Sequence, residues 1–233
     1  MGSTFKMVGV FALVVTVASS SLLAQVGKMY PADEAARDPE FFAFRARLLI
    51  ALQQKDVDFL YSIVAADILN SFGGDGGLDE FKTTWRPEEP TSRLWATLTE
   101  ILALGGQFQQ PDPAAGYGSK MFAAPYVFAV TPGGGFDPFE HGVVIGSGVR
   151  VRQQPSPTSS VLASLTFDVV RVTDWRPRPD THDSGARSWT AVQLADGRSG
   201  YVASEFIRSR IGYRAIFALR EGRWLLRALV AGD

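Results

Sequence analysis

The spacing of apolar residues in the first half of the chain predicts helices. The first apolar stripe recurs at intervals of three and four residues, at Phe41, Phe44, Leu48 and Leu52. This spacing places the four side chains on one face of a helix. The segment Asp38-Pro39-Glu40 suits its beginning, because aspartate caps helices, proline fits the first helical position and glutamate favours the positive end of the dipole.

Three more helices are predicted before the middle of the chain. The apolar pattern places them over residues 56–64, over 81–85, and from a cap at Thr91 or Ser92 to about residue 104. The glycine pair 105–106 ends the last of them. The first half is therefore predicted to be mainly helical, with a hydrophobic core of its own.

Strands are predicted from residue 124 onwards. Residues 124–130 form one apolar run, and from residue 142 apolar positions alternate with polar ones. The alternating runs are 142–145, 149–152, 161–165, 169–172, 189–192 and 200–202. Several short strands at this spacing are typical of a small sandwich or barrel, and Asp196-Gly197 indicates a hairpin inside it.

The end of the chain predicts one more hairpin. Residues 213–219 alternate in polarity, Glu221-Gly222-Arg223 forms a turn, and 224–230 returns as a second strand. A stretch with three glycines and two prolines, 131–138, marks a domain boundary. We therefore predict an α+β chain with a leader at 1–24, a mainly helical domain at 25–137, a β-barrel at 138–210 and a closing hairpin at 211–233.

Composition excludes several classes of function. The 233 residues carry a net charge of −1 and contain no cysteine and two histidines. Without cysteine there are no disulfides, thiolate metal sites or cysteine nucleophiles, and two histidines cannot form a three-histidine zinc site. No basic stripe of the kind that binds nucleic acid is visible. We predict no cofactor, no metal and no nucleic-acid partner.

The first 24 residues have the pattern of a secretory signal. Lys6 precedes an apolar stretch at 7–17, which small residues at 18–21 follow. Cleavage is predicted after Ala24, with Ser20 as the alternative position, and an uncleaved membrane anchor is the competing interpretation. We expect export to the periplasm or the medium, with no stable membrane anchor after cleavage.

Residues 142–207 carry an ordered set of short motifs: GVRVR at 148–152, Pro155-Ser156, Val161-Leu162, Val169-Val170, Trp189 with Val192, and DGRSGYV at 196–202. In this order the motifs resemble a bacterial SH3-like domain. Arg150 stands where asparagine is common, Gln154 stands where glycine is common, and the loop at 174–187 is longer than usual. The family pattern implies a small β-barrel without catalytic residues.

The resemblance implies binding of cell-wall peptide, peptidoglycan or a protein partner, or a structural accessory role. Five residues are predicted to contact the ligand: Tyr201, Trp175, Arg176, Arg178 and Trp189. Tyr201 follows a glycine near a hairpin, and Trp175 lies beside arginines in the long loop, where an aromatic ring can stack on a ligand. The competing interpretation of Trp175 is a side chain that covers the end of the barrel, and that of Trp189 is a place in the barrel core.

The remainder of the chain resembles the cone-shaped α+β fold of nuclear-transport-factor-2-like proteins. Helices come first, a strand follows, and the closing hairpin carries Trp224-Leu225-Leu226 and then Ala231-Gly232-Asp233. On this resemblance, residues 213–230 return to complete the first domain, and the barrel is inserted between its parts. The resemblance does not imply an activity, since one fold hosts many functions.

An alternative function is a cell-wall or glycan hydrolase that the barrel targets to its substrate. Its support is the acidic group Asp75, Asp79 and Glu80 beside the glycine-rich loop 73–77, because paired carboxylates cleave glycosides at a suitable separation. The competing interpretation is a tight turn that requires positive φ, followed by acids that favour the helix dipole. The loop 180–183, with one histidine between two aspartates, is interpreted as solvated rather than as a metal site.

Overall fold

The computed structural model describes residues 27–71, 73–74, 76–111, 118–130, 136–179 and 187–232. Within these ranges the chain contains five α-helices and two sheets, of five and seven strands. The predicted α+β class is confirmed. Among the described helices, none combines the length and the apolar composition that a membrane span needs.

The helices lie mainly in the first half of the chain, as predicted. They are α1 (Pro39–Gln54), α2 (Val57–Ile63), α3 (Gly77–Trp85), α4 (Leu94–Ala103) and α5 (Tyr126–Ala129). Two of them begin at an aspartate cap, of which the sequence analysis predicts the one at Asp38. The Asp38 carboxylate accepts hydrogen bonds from the N–H groups of Glu40 and Phe41, both at 3.0 Å, and Asp56 accepts one from Phe59 at 2.9 Å. These bonds satisfy backbone donors that a helix leaves unpaired at its start.

Most of the strands lie in the second half of the chain, and two of them, β1 and β2, lie in the first half. They are β1 (Val64–Leu69), β2 (Gln107–Gln109), β3 (Lys120–Ala124), β4 (His141–Val144), β5 (Val149–Arg152), β6 (Val161–Leu165), β7 (Val169–Pro179), β8 (Ser188–Gln193), β9 (Ser199–Ala203), β10 (Ile207–Ser209), β11 (Arg214–Arg220) and β12 (Arg223–Val230). A 3-10 turn, Ser204–Phe206, separates β9 from β10.

The first sheet combines strands from residues 64–124 with the C-terminal hairpin. Its strand order is β1-β12-β11-β3-β2, with β1 parallel to β12 and the other neighbours antiparallel. The C-terminal hairpin therefore occupies the middle of a sheet whose other strands come from residues 64–124. All the described residues between β3 and β11, including the whole second sheet, are inserted within it.

The core of this part is aromatic and centres on Phe41. The Phe41 side chain is fully buried, and its ring centroid lies 4.2 Å from that of Phe122, 4.7 Å from Trp224 and 5.7 Å from Phe108. These rings come from α1, β3, β12 and β2, so one side chain ties the first helix to three strands. Burial of so much apolar area is the main force that holds helices on the sheet.

The cap at Asp38 also joins the first helix to the sheet. Lys120, at the start of β3, donates a hydrogen bond of 2.6 Å to the second carboxylate oxygen of Asp38. This hydrogen bond, together with those from the backbone, lowers the pKa of Asp38 below its ordinary value of 3.8. A lowered folded-state pKa means that the charged form stabilises the fold above the unfolded-state pKa, and that the gain is lost as the pH falls through the folded-state pKa.

The Asp38→Ala variant is expected to lose about 1 kcal/mol of unfolding free energy at neutral pH, because a helix cap is removed. The difference from wild type should shrink at a pH well below 3.8, where the wild-type carboxylate is itself protonated. Urea titrations at both pH values measure it. Asp58→Ala, which removes a neighbouring exposed carboxylate, is the control, and a difference independent of pH would contradict the prediction.

The strand predicted at 124–130 is wrong. Strand β3 ends at Ala124, Pro125 follows, and Tyr126–Ala129 forms the short helix α5. A short apolar run has no period that separates a buried strand from a buried helix, and here both occur in succession. The strand that the sheet does use begins earlier, at Lys120.

The second sheet curls around an apolar cluster of its own. Its strand order is β10-β4-β7-β8-β9-β5-β6. The cluster draws buried side chains from six of these strands: Val144, Val149, Val151, Val170, Val172, Val192, Val202 and Ile207. Residues from opposite ends of the strand order therefore face one core, which a flat sheet would not allow.

The predicted closed barrel does not form among the described residues. Its two edge strands, β6 and β10, share no hydrogen-bonded pairing there, and β5 meets β9 only at the pair Arg152 and Tyr201. Strand β10 has three residues, which leaves little length for a closing ladder. The second sheet is thus a curled, open sheet.

The two sheets are joined by a third apolar cluster. Buried residues from both parts form it: Met29, Tyr126, Val127, Val143 and Val169. The segment at 27–29 also bridges them, because the N–H of Met29 donates to the carbonyl of Phe167 at 2.8 Å and Lys28 pairs with Asp168 at 2.7 Å. The second sheet is therefore held against the first part by both packing and backbone hydrogen bonds.

Candidate functional site

A polar groove of about 440 Å³ lies on the second sheet. Four separate stretches of chain line it: the segment directly after β5, and parts of β7, β8 and β9. The lining residues are Gln153, Gln154, Thr173, Asp174, Arg176, Ala191, Ser199, Gly200 and Tyr201. Two of the predicted ligand residues, Tyr201 and Arg176, meet here although they lie 25 positions apart in the sequence.

Strand β9 places Tyr201 at the groove. Tyr201 is half-buried and pairs with Ala191 on β8 and with Arg152 on β5. Gly200 permits this approach, because a Cβ atom there would lie 2.7 Å from Val151 Cγ1 and 2.8 Å from the Arg152 carbonyl oxygen. The Gly-Tyr dipeptide therefore has a structural reason: the glycine lets two strands come close, and the tyrosine beside it lines the groove.

Arg176 and Asp174 form an ion pair at the groove. Arg176 Nε and Nη2 donate to the two Asp174 carboxylate oxygens at 3.0 and 3.2 Å. This hydrogen-bonded carboxylate raises the pKa of Arg176 above its ordinary value. The arginine side chain is 90% exposed while that of Asp174 is 15% exposed, so the guanidinium is the charge most open to solvent. A ligand here meets one cation, one anion and several neutral polar groups.

Trp175 lies away from the groove, although it stands between two lining residues. Successive side chains of a strand point to opposite faces, so Trp175 turns from Asp174 and Arg176 towards the core of the second sheet. Its indole N–H donates to the Phe139 carbonyl at 2.8 Å, and its ring lies close to Gly142. The structure therefore separates Trp175 from Tyr201, and Trp175 covers one end of the core.

Trp189 is buried, which favours the competing core interpretation over a contact with the ligand. Trp189 is 2% exposed, because strand β8 turns its side chain inward. Arg178 lies in β7, with its backbone opposite Trp189, and its side chain lies outside the described residues. Of the five predicted residues, the groove brings together two.

The acidic loop shows the features of a turn. Gly76 and Gly77 have φ angles of 72° and 89°, the left-handed region that the turn interpretation requires. Asn70 Nδ2 donates to the Gly77 carbonyl at 3.0 Å and to Glu80 at 3.2 Å, which fixes the start of α3. Asp79 and Glu80 occupy the first turn of that helix, where the dipole favours acids.

The described residues therefore give the hydrolase alternative no support in the form of a catalytic site. Asp75 and the loop 180–183 lie outside them. Within the ranges that the structure describes, no group of three histidine, cysteine, aspartate or glutamate side chains is arranged to hold a metal ion. The hydrolase remains a prediction from sequence.

Sequence reasoning missed most of the groove. Gln153 and Gln154 precede the Pro155 turn, and Thr173 and Ser199 belong to other strands. Each is an ordinary polar residue, and no spacing along the chain connects them. Only the departure from the family pattern at Gln154, where glycine is common, pointed to this position.

Comparison of the chain with protein-family models, with curated proteins and with solved structures gives no match. The function is therefore argued from the groove itself.

Proposed function

We propose that this protein is an exported, non-enzymatic binding protein whose second sheet is an SH3-like module that takes an extended cell-envelope peptide in the groove at Tyr201. The observation that carries the proposal is the meeting of Tyr201 and Arg176 in one polar groove. Export rests on the signal pattern of the first 24 residues.

The chemistry of the groove suits a peptide. A peptide backbone alternates donors and acceptors, and the side chains of Gln153, Gln154, Thr173 and Ser199 supply both. The Tyr201 ring adds an apolar surface with a polar tip, and the Asp174–Arg176 pair can meet a charge of either sign at a peptide terminus or side chain. A small open groove buries little area, so the affinity should be modest.

The two family resemblances support the proposed architecture, in which a binding module is carried by a separate α+β part. The inward-facing cluster of the second sheet is what a small SH3-like barrel would need, although the described edges stay open. The C-terminal hairpin pairs with β3 and β1, which is the arrangement that the nuclear-transport-factor-2-like resemblance implies. In this proposal the first part is a stable platform that carries the binding module.

The test is retention of the purified chain on insoluble cell-wall material. Wild type should pellet with the wall, and Tyr201→Ala and Arg176→Ala should each bind about five- to tenfold more weakly, since an aromatic contact or a charged hydrogen bond contributes about 1 kcal/mol or more. Arg150→Ala is the matched control, because Arg150 is exposed on the same sheet but does not line the groove.

Two results would count against the proposal. If wild type does not pellet with the wall, the proposed cell-envelope ligand is wrong. If wild type and both groove variants are retained equally, the binding site is not this groove. Far-UV circular dichroism of each variant shows whether the fold is intact.

A further inference from the structure

A second groove, of about 510 Å³, lies on the other part of the molecule. It is bounded by α1, by α2 and by the turn between β11 and β12. Its volume falls in the range of small-molecule sites, which is about 300–1,000 Å³. None of the five residues that the sequence predicts to contact a ligand lines it.

The floor of this groove is apolar and rigid. Phe44, Ile63 and Trp224 line it and are 4%, 6% and 6% exposed, and Phe59 adds a half-buried ring. The Trp224 ring is held by Phe41, with centroids 4.7 Å apart. Such a floor offers an apolar ligand a preformed surface and costs little ordering when the ligand binds.

The rim of the groove carries two arginines. Arg47 projects from α1, and its guanidinium makes no ion pair or hydrogen bond with any other described residue. Arg223 donates one hydrogen bond, from Nη2 to the Ser62 carbonyl at 2.9 Å, which leaves other donors of its guanidinium open. Glu40 is the single acid in the lining, so the net charge of the lining side chains is +1 (two minus one).

We propose that this groove binds a small amphipathic monocarboxylate, with its apolar chain on Phe44, Ile63 and Trp224 and its carboxylate between Arg47 and Arg223. Arginine matches a carboxylate because it presents paired donors in a planar fork. The site is independent of the peptide groove, since it lies on the other sheet and shares no lining residue with it.

The experiment is calorimetric titration of the purified chain with three probes: decanoate, decanamide and acetate, each below its self-association concentration. Decanoate is expected to bind. Decanamide should bind about tenfold more weakly because it lacks the charge, and acetate should not bind measurably because it lacks the chain. Arg47→Gln and Arg223→Gln should each weaken decanoate binding about tenfold while leaving decanamide unchanged.

Two more variants separate a binding effect from a folding effect. Ala43→Phe adds a ring at an exposed lining position of α1 and should abolish decanoate binding without loss of helical signal. Arg86→Gln, an exposed arginine outside the groove, should bind like wild type. The proposal is overturned if decanoate does not bind, if decanamide binds as tightly as decanoate, or if neither the arginine variants nor Ala43→Phe alters the affinity.

Discussion

Replacing Phe41 with alanine should cost about 3–5 kcal/mol of unfolding free energy, the range for removing a buried aromatic ring. Phe41 has no exposed surface, and its ring lies near the rings of Phe122, Phe108 and Trp224. Alanine would leave a cavity among groups that α1 and three strands hold in place, so the site cannot collapse to fill it. A loss of this size is a large fraction of the whole stability of a domain, which is about 5–15 kcal/mol.

Urea unfolding followed by circular dichroism measures this loss. Phe42→Ala is the matched control, since the next residue along the same helix is 50% exposed and its removal should cost no more than about 0.5 kcal/mol. Equal stabilities for the two variants would show that the aromatic cluster does not centre on Phe41.

The Trp189→Ala variant should lose a similar amount, about 3–5 kcal/mol, through the second sheet. Trp189 is 2% exposed on β8, a central strand that hydrogen-bonds to both β7 and β9. Its removal opens a cavity behind the strands that carry the peptide groove. We therefore expect this variant to lose groove binding through unfolding, and not through a lost contact with the ligand.

The distinction between these two causes is measurable. Thermal unfolding of Trp189→Ala should show a large drop in midpoint, whereas Tyr201→Ala should weaken binding with little change in midpoint. Phe206→Ala, which removes a 41% exposed aromatic side chain in the 3-10 turn between β9 and β10, is the control for stability. A stable Trp189→Ala that fails to bind would restore Trp189 as a ligand residue.

The sequence predicts a residue of the candidate site only where that residue belongs to a local motif. Tyr201 follows Gly200 in a pattern that the SH3-like resemblance already marked, and the close approach of β9 to β5 explains why the two residues occur together. Trp175 was placed with Arg176 because the two are adjacent in sequence. On a strand, adjacency puts side chains on opposite faces, so the arginine lines the groove and the tryptophan covers the core.

The peptide groove as a whole could not be found along the chain. Asp174 and Ser199 belong to two strands, and Gln154 lies in the segment after a third, so the sheet order decides that they meet. The basic rim of the second groove has the same origin, because Arg47 and Arg223 lie 176 positions apart. A site of this kind has no sequence signal until the strands and helices are packed.

Local physics accounts for the elements that were predicted correctly. Helical periodicity and the caps at Asp38 and Asp56 determine α1 and α2, since each signal lies within a few residues of the structure it specifies. Alternation likewise determines the strands of the second half, but a run without a period, as at 124–130, leaves helix and strand undecided. The pairing of β11 with β3, and the open curl of the second sheet, depend on contacts between distant segments, whose free energy arises from packing that no single stretch of sequence contains.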